Sequence, residues 1–143
     1  MSYQEASALN EFNQPWGERY HTEGGVLTEL TEEVLQAAIR AIRYNPMLTV
    51  EFGDYVGGAV QMTDAHAAMV YPHRSPQVEL VMRSRWTDSE QDDAAIAAVS
   101  NLHNSLAAHL TGACDAGNYS GDIMEEAAFG LGNTARLLGL RRE

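Results

Sequence analysis

"QVELVMRSRW", residues 77–86, decides the fold because apolar and polar residues alternate along it. Successive side chains of an extended chain point to opposite faces, so this alternation predicts a β-strand. The apolar face carries Val78, Leu80, Met82 and Trp86. The opposite face carries Gln77, Glu79, Arg83 and Arg85, with Val81 as its one apolar member. We therefore expect one face in the core, and the other in contact with water, a ligand or a polar partner.

The segments before this strand predict three further strands and a helix. Weak alternation predicts strands at residues 19–27 and 48–52, and a short third strand at residues 59–62 follows the break at Gly57-Gly58. Helical spacing predicts a helix at residues 32–44, with Thr31 as its N-cap. The apolar stripe of that helix consists of Val34, Leu35, Ala38, Ile39 and Ile42.

The segments after the strand are mainly helical. A long helix, capped by Asp88 or Ser89, runs to about Leu110. Its buried stripe consists of Ile96, Val99, Leu102, Leu106 and Leu110. Residues 112–119 form a poor strand or a loop, and a last helix covers residues 123–140. This order of elements predicts an α+β fold, a largely antiparallel sheet with helices packed on one face.

Composition predicts one globular domain, residues 1–143, with an acidic surface. Hydrophobic residues make up 45% of the chain and charged residues 20%, which are ordinary values for a folded domain. A formal charge of −11 argues against binding of nucleic acid or of an anionic membrane. The chain shows neither an apolar run of the ~20 residues that span a membrane nor a signal pattern. Its one cysteine, Cys114, excludes an internal disulfide, so we expect a cytoplasmic protein without a zinc site.

Four segments, in order, resemble the C-terminal substrate domain of FAD-linked oxidases of the berberine-bridge type, within the vanillyl-alcohol-oxidase superfamily. They are PWGERYHTEGGVLTELTEEVLQAAI (15–39), GGAVQMTDAHAAMVYPHR (57–74), RWTDSEQDDAAIAAVSNLHNSLAAHLTGA (85–113) and GNYSGDIMEEAAFGLGNTARLLGLRRE (117–143). Each motif is weak alone, but together they cover nearly the whole chain. The resemblance implies the same α+β substrate domain.

The departures from the family concern the flavin. The family's Gly-x-Tyr-x-Asn strand, whose tyrosine lies near the flavin in many members, reads Cys114-Asp115-Ala116-Gly117-Asn118 here. The closing segment that returns the family's chains to the flavin domain is not found, and a glycine-rich pyrophosphate loop is also missing. We therefore expect no cofactor in this chain and no hydride transfer by it alone.

Five residues are candidate catalytic groups. Glu79 is a candidate acid or base and Arg83 a candidate oxyanion anchor, unless their strand face is only solvated. Tyr71 is either a donor to a substrate carbonyl or half-buried packing. The resemblance implies that Asp115 and Tyr119 border the flavin site, where they are candidates for proton transfer. The alternative is a loop that satisfies its own backbone.

Five further residues are candidates for contact with substrate. They are Val81, Met82, Arg85, Asn118 and His73. His73 is a loop histidine that can transfer protons near neutral pH, whereas the resemblance implies that the His73–Arg74 pair holds the entry of the strand.

Three functions are compatible with this sequence. Relatives of the family are common in natural-product pathways, so the first is a cofactor-independent cyclase that orients a mostly apolar, polyketide-like substrate for ring closure. The alternative is a non-catalytic substrate-binding subunit that docks onto a separate FAD-binding oxidase chain. The third is a non-catalytic oligomer or sequestering protein. Because the sheet face that meets the flavin domain in relatives needs a cover, we expect a two-fold homodimer.

Overall fold

A computed structural model describes residues 1–8, 15–53, 77–121 and 125–141. The strands are β1 (Arg19–Leu27), β2 (Leu48–Phe52) and β3 (Val78–Trp86). The helices are α1 (Tyr3–Ala8), α2 (Glu32–Tyr44), α3 (Asp92–Ser105) and α4 (Glu125–Leu140). Short 3-10 turns lie at Ser89–Gln91, Ala107–His109 and Ala116–Asn118. The expected α+β fold, an antiparallel sheet with helices against it, is confirmed.

The strand that decides the fold lies in the middle of the sheet. β3 pairs antiparallel with β1 on one side and with β2 on the other. Glu23 and Val50 both lie opposite Met82, so the three strands share one alternation of faces. One face packs against α3, and we call the opposite one the outer face. The outer face carries Tyr20, Thr22, Gly24, Val26, Thr49, Glu51, Glu79, Val81, Arg83 and Arg85.

The core lies between the helix-facing side of the sheet and helices α2 and α3. Its buried members are Leu27, Val34, Leu48, Leu80, Met82, Val99, Leu102 and Leu106. Burial of one such aliphatic side chain contributes about 1.5–3 kcal/mol relative to exposure. This core fixes β3 against the helices and leaves its polar side chains on the outer face.

Helix α2 begins as the sequence predicts but buries less of its apolar stripe. Thr31 Oγ1 accepts a hydrogen bond from the Val34 amide at 3.3 Å. Val34 and Ala38 are buried, whereas three other members of the predicted stripe are 36–41% exposed, namely Leu35, Ile39 and Ile42. The helical spacing predicted for this stripe is present, but only part of the stripe is buried. Successive helical residues are rotated by about 100° around the helix axis. A helix that contacts the core along one narrow strip of its surface therefore leaves the residues beside that strip in solvent.

Helix α3 is shorter than the sequence predicts. It ends at Ser105 rather than near Leu110. The Leu106 amide is shared between the carbonyls of Leu102 and His103, and a 3-10 turn follows. Leu110 then forms an isolated antiparallel bridge with Leu27, which requires extended backbone and so ends the helical segment. The predicted stripe member Ile96 is 38% exposed, and Ala95 and Ala98 are buried beside Val99.

An ion pair ties the start of α3 to the sheet. Arg19 binds both oxygens of Asp92 at 2.6 Å, and Trp86 Nε1 donates to Asp92 Oδ1 at 2.6 Å. The hydrogen bonds from Arg19 and then Trp86 lower the pKa of the Asp92 carboxyl. The first residue of the helix is therefore joined to both β1 and β3.

The C-terminal part consists of a loop and a kinked helix. Residues 112–119 form a loop with one 3-10 turn, which agrees with the second of the two predicted alternatives. Helix α4 bends at Gly130, whose φ of 72° and ψ of 155° suit glycine. Within the described ranges, no helix combines the length and apolar character needed to cross a membrane.

Candidate functional site

The polar residues predicted for one side of β3 do lie together on the outer face. Glu79 and Arg83 are half-buried and Arg85 is exposed, while Val81 among them is 6% exposed. Each charged group has a defined neighbour, described below. The outer face therefore carries ordered charged groups next to Thr22, Val26 and Val81, which are at most 9% exposed.

Glu79 is held by the loop that follows α3. Asn118 Nδ2 donates to Glu79 Oε1 at 2.7 Å. A β-carbon at Gly24 would lie 2.8 Å from the Asn118 carbonyl oxygen, and one at Gly53 would lie 3.1 Å from Glu79 Oε2. The two glycines thus make room for the Glu79–Asn118 pair. Because an ionised carboxylate has about four acceptor sites, Glu79 retains capacity to accept a proton or a substrate hydroxyl.

Arg83 and Arg85 are each bonded to β1 or to the chain before it. Arg83 Nε donates to Thr22 Oγ1 at 3.2 Å, and its guanidinium lies 3.6 Å from Glu51 Oε1. Arg85 Nε lies 3.0 Å from Glu18 Oε2. The Arg83 side chain is 14% exposed, so its charge is oriented by the protein rather than by solvent.

The three candidates of the C-terminal loop lie in three different environments. Asp115 is exposed and its Oδ1 accepts from the Gly117 amide at 2.7 Å, the local bond of a turn. Asn118 faces Glu79 on the outer face. Tyr119 contacts α3 instead, with its ring edge-on to His103 at a centroid distance of 6.3 Å. Burial, followed by the Glu23 charge and then the Cys114 charge, raises the pKa of the Tyr119 phenol.

The remaining candidates are not on the described outer face. Met82 is fully buried in the core on the helix-facing side, so it is not available to a ligand bound beside Glu79. Tyr71 and His73 lie outside the described residues. Glu79, Val81, Arg83 and Arg85 therefore share the outer face, and Asn118 contacts that face through Glu79.

A second polar cluster, which the sequence analysis missed, lies between β1 and α3. Glu23 is 8% exposed, and Ser100 Oγ donates to its Oε1. His21 Nε2 lies 3.0 Å from Glu23 Oε1, and His103 Nδ1 lies 3.5 Å from Glu23 Oε2. The signal was a histidine and a glutamate two residues apart on the helix-facing side of a predicted strand, a side expected to be apolar.

This second cluster compensates a buried carboxylate. Three neighbours surround Glu23, and a buried charge needs such partners because burial without them is costly. Within the described part of the chain, no group of three His, Cys, Asp or Glu side chains is arranged to hold a metal ion. The cluster joins β1 to α3 and so stabilises the sheet on its helix-facing side.

Chemically, the outer face combines a fixed carboxylate, an amide and two guanidinium groups. Glu79 can accept a proton, and Arg83 can stabilise negative charge that develops on a bound oxygen. The Asn118 amide orients the carboxylate. The surface is therefore suited to bind and orient a molecule with hydroxyl or carbonyl groups.

Solved structures share this architecture. BBE-like 1 of Physcomitrella patens matches with a TM-score of 0.75 at 13% identity, over 93% of this chain and 30% of that chain. GilR, an oxidoreductase that catalyses the terminal step of gilvocarcin biosynthesis, matches with a TM-score of 0.70 at 21% identity, over 88% of this chain and 30% of that chain. CrmK, a flavoenzyme involved in caerulomycin biosynthesis, matches with a TM-score of 0.65 at 22% identity, over 85% of this chain and 29% of that chain. The chain has the fold of one segment of the FAD-linked oxidases.

The likeness confirms the family resemblance at the level of the fold. The chain spans about 30% of the length of the matched enzymes. No family model and no curated protein sequence matches it. The relation is therefore carried by three-dimensional structure.

Proposed function

We propose that this chain is the substrate-side module of an FAD-linked oxidase that acts on natural products. Its outer face holds the substrate opposite a flavin that a second module supplies, either another chain or a further part of the same polypeptide. The observation that carries this proposal is the Glu79–Asn118 pair, which shares with Arg83 the sheet face opposite to the helices, in a fold shared with these oxidases.

The physical basis is a division of labour within such an enzyme. A flavin carries the hydride chemistry, and the protein around it binds and orients the substrate. The outer face has the groups for this second task, because Arg83 and Asn118 are fixed by contacts to Thr22 and Glu79. Groups fixed in advance lose little freedom when a ligand binds.

A nuclear magnetic resonance titration tests the proposal. Pregilvocarcin, the compound bound to GilR, is added to ¹⁵N-labelled protein, and the backbone amide shifts are mapped. We expect shifts at Thr22, Glu79 and Arg83. Arg83→Gln should weaken binding about ten- to a hundredfold, because a hydrogen bond from a charged group contributes about 1.5–3 kcal/mol. Arg43→Gln, at the exposed end of α2, is the matched control and should have no effect.

Two results would contradict the proposal. One is a set of shifts confined to the helices, with the outer face unmoved. The other is equal affinity of the wild-type protein and the Arg83→Gln variant, with circular dichroism showing that both are folded. Binding of FAD gives a second measurement, because the chain alone should not retain FAD through gel filtration. Tight stoichiometric retention of FAD by a single copy of the chain would contradict the proposal that a second module supplies the flavin.

The fixed carboxylate of Glu79 also favours a second candidate function, cofactor-independent ring closure. A base oriented by Asn118 at 2.7 Å can remove a proton while Arg83 polarises a carbonyl of the same substrate. The test is turnover of a linear polyketide by flavin-free protein. Glu79→Gln should then lower the rate about 10²–10⁴-fold, the usual contribution of a general base. Absence of turnover with the wild-type protein removes this candidate and leaves the first one standing.

A further inference from the structure

Trp16 is completely exposed, which is unusual for the largest aromatic side chain. Its side chain is 100% exposed, whereas the second tryptophan of the protein, Trp86, is 6% exposed. Tryptophan is highly buried on average in folded proteins. An indole held wholly in water has its whole apolar surface available for binding.

The turn that carries Trp16 is attached to the outer face at both ends. Before it, the Pro15 carbonyl accepts from the Tyr20 hydroxyl at 2.8 Å. After it, Glu18 Oε2 lies 3.0 Å from Arg85 Nε. Tyr20 and Arg85 are opposite each other in the register of β1 and β3. The turn that carries Trp16 therefore lies at the end of the outer face where Tyr20 and Arg85 pair.

The residue after Trp16 is a glycine with a turn conformation. Gly17 has a φ of 90°, a left-handed conformation that glycine adopts without strain. The two attachments locate the turn, and with it the indole, at this end of the sheet.

We propose that Trp16 is a stacking platform for a substrate with planar aromatic rings, an inference that rests on the proposed function and names its substrate class. The rings lie on the indole, and hydroxyl or carbonyl groups of the substrate reach the polar side chains of the outer face. Tryptophan suits this role because offset or edge-on aromatic pairs are favourable beyond the area they bury. The guanidinium of Arg85, at the same end of the outer face, also suits the faces of aromatic rings.

A pair of matched ligands tests whether the site prefers aromatic rings to saturated rings. The probes are 2-naphthol and its saturated analogue decahydro-2-naphthol, which share a fused two-ring carbon skeleton and a hydroxyl. Both are neutral, because a chain of net charge −11 repels anions. The protein has two indole N–H signals in a ¹⁵N spectrum, one for Trp16 and one for Trp86. We expect 2-naphthol to shift the Trp16 signal and the amides of Arg83 and Arg85, to leave Trp86 unmoved, and to bind more tightly than its saturated analogue.

Substitution separates this inference from the function on which it rests. Trp16→Leu should weaken 2-naphthol about two- to tenfold, Trp16→Phe should retain most of the affinity, and Tyr44→Leu, at an exposed aromatic residue of α2, should change nothing. If Trp16→Leu binds as tightly as wild type while the outer-face amides still shift, the stacking role is wrong and the proposed function stands. If no outer-face amide shifts in the wild-type protein, both are overturned.

Discussion

Two adjacent glycines of β1 offer a matched test of how the outer face is built. Neither Gly24 nor Gly25 has a positive φ, so alanine is conformationally acceptable at both positions. A β-carbon at Gly24 would lie 2.8 Å from the backbone oxygen of Asn118 and 3.2 Å from its Cβ. A β-carbon at Gly25 would lie 2.7 Å from Cδ2 of Leu110, the end of a flexible side chain. The same substitution therefore meets a rigid obstacle in one case and a movable one in the other.

The expected magnitudes follow from these two obstacles. Replacement of glycine by alanine at a compatible position stabilises a protein by about 0.4–1 kcal/mol, through the unfolded state. Overpacking costs about 1–3 kcal/mol when the neighbour cannot move aside. Gly24→Ala should therefore lower the free energy of unfolding by about 1–2 kcal/mol and push Asn118 away from Glu79. Gly25→Ala should stay within about 0.5 kcal/mol of wild type, because rotation of Leu110 relieves the contact.

Two measurements compare the Gly24→Ala and Gly25→Ala variants. Urea unfolding followed by circular dichroism gives the free energies, and the side-chain amide signals of Asn118 report its bond to Glu79. We expect those signals to move in Gly24→Ala and not in Gly25→Ala, with Glu79→Leu as the reference for a lost bond. A Gly24→Ala variant as stable as wild type, with unmoved Asn118 signals, would refute the reasoning.

Four further predictions concern the supporting contacts and the assembly. Because hydrogen bonds from Arg19 and Trp86 lower the pKa of Asp92, the stability they contribute is present above about pH 4 and is lost as pH falls through the lowered pKa. The difference in unfolding midpoint between wild type and Asp92→Asn at pH 7 should therefore close in strong acid, and a constant difference would contradict this. Burial, then the Asp115 charge, raises the pKa of the Cys114 thiol, so iodoacetamide at mildly alkaline pH should alkylate the native protein far more slowly than the protein in concentrated guanidinium. Equal rates would be the contrary result. Ser100→Ala removes a hydrogen bond to the Glu23 carboxylate and should cost about 1.5–3 kcal/mol of unfolding free energy. Its control is Ser84→Ala, because the Ser84 hydroxyl is buried without a partner among the described residues and its removal should be nearly neutral. The two-fold homodimer stays a prediction, and light scattering should give twice the chain mass of 15.7 kDa, with a monomer at micromolar concentration as the opposing result.

The sequence predicted the elements best where local chemistry is strong. Thr31 and the two glutamates after it marked the start of α2, and period-two alternation marked β3. The end of α3 could not be read in this way. The residues after Ser105 remain good helix formers, and only the bridge between Leu110 and Leu27, which are far apart in the chain, diverts the backbone. The predicted burial of Ile96 was wrong for a related reason, because Ile96 is as apolar as Val99 and the neighbouring elements decide which of them is covered.

The candidate site was predicted in part. Alternation along β3 placed Glu79, Arg83 and Arg85 on one face, because the side-chain direction of a strand is a local property. It could not show that Asn118 bonds to Glu79 while the next residue, Tyr119, contacts His103 on the other side of the sheet. Those contacts depend on the path of a loop whose own sequence permits several conformations.

By itself, the sequence determined that this protein is an acidic α+β domain whose central strand has one apolar and one polar face, since composition and local periodicity are properties of the chain. Only the tertiary structure decided which polar groups meet. It packed the carboxylate of Glu23 against Ser100 behind the sheet and attached the Trp16 turn to the end of the outer face. Such contacts join residues far apart in the sequence or on different elements. They depend on the packed fold, in which the apolar face of β3 is buried against α3.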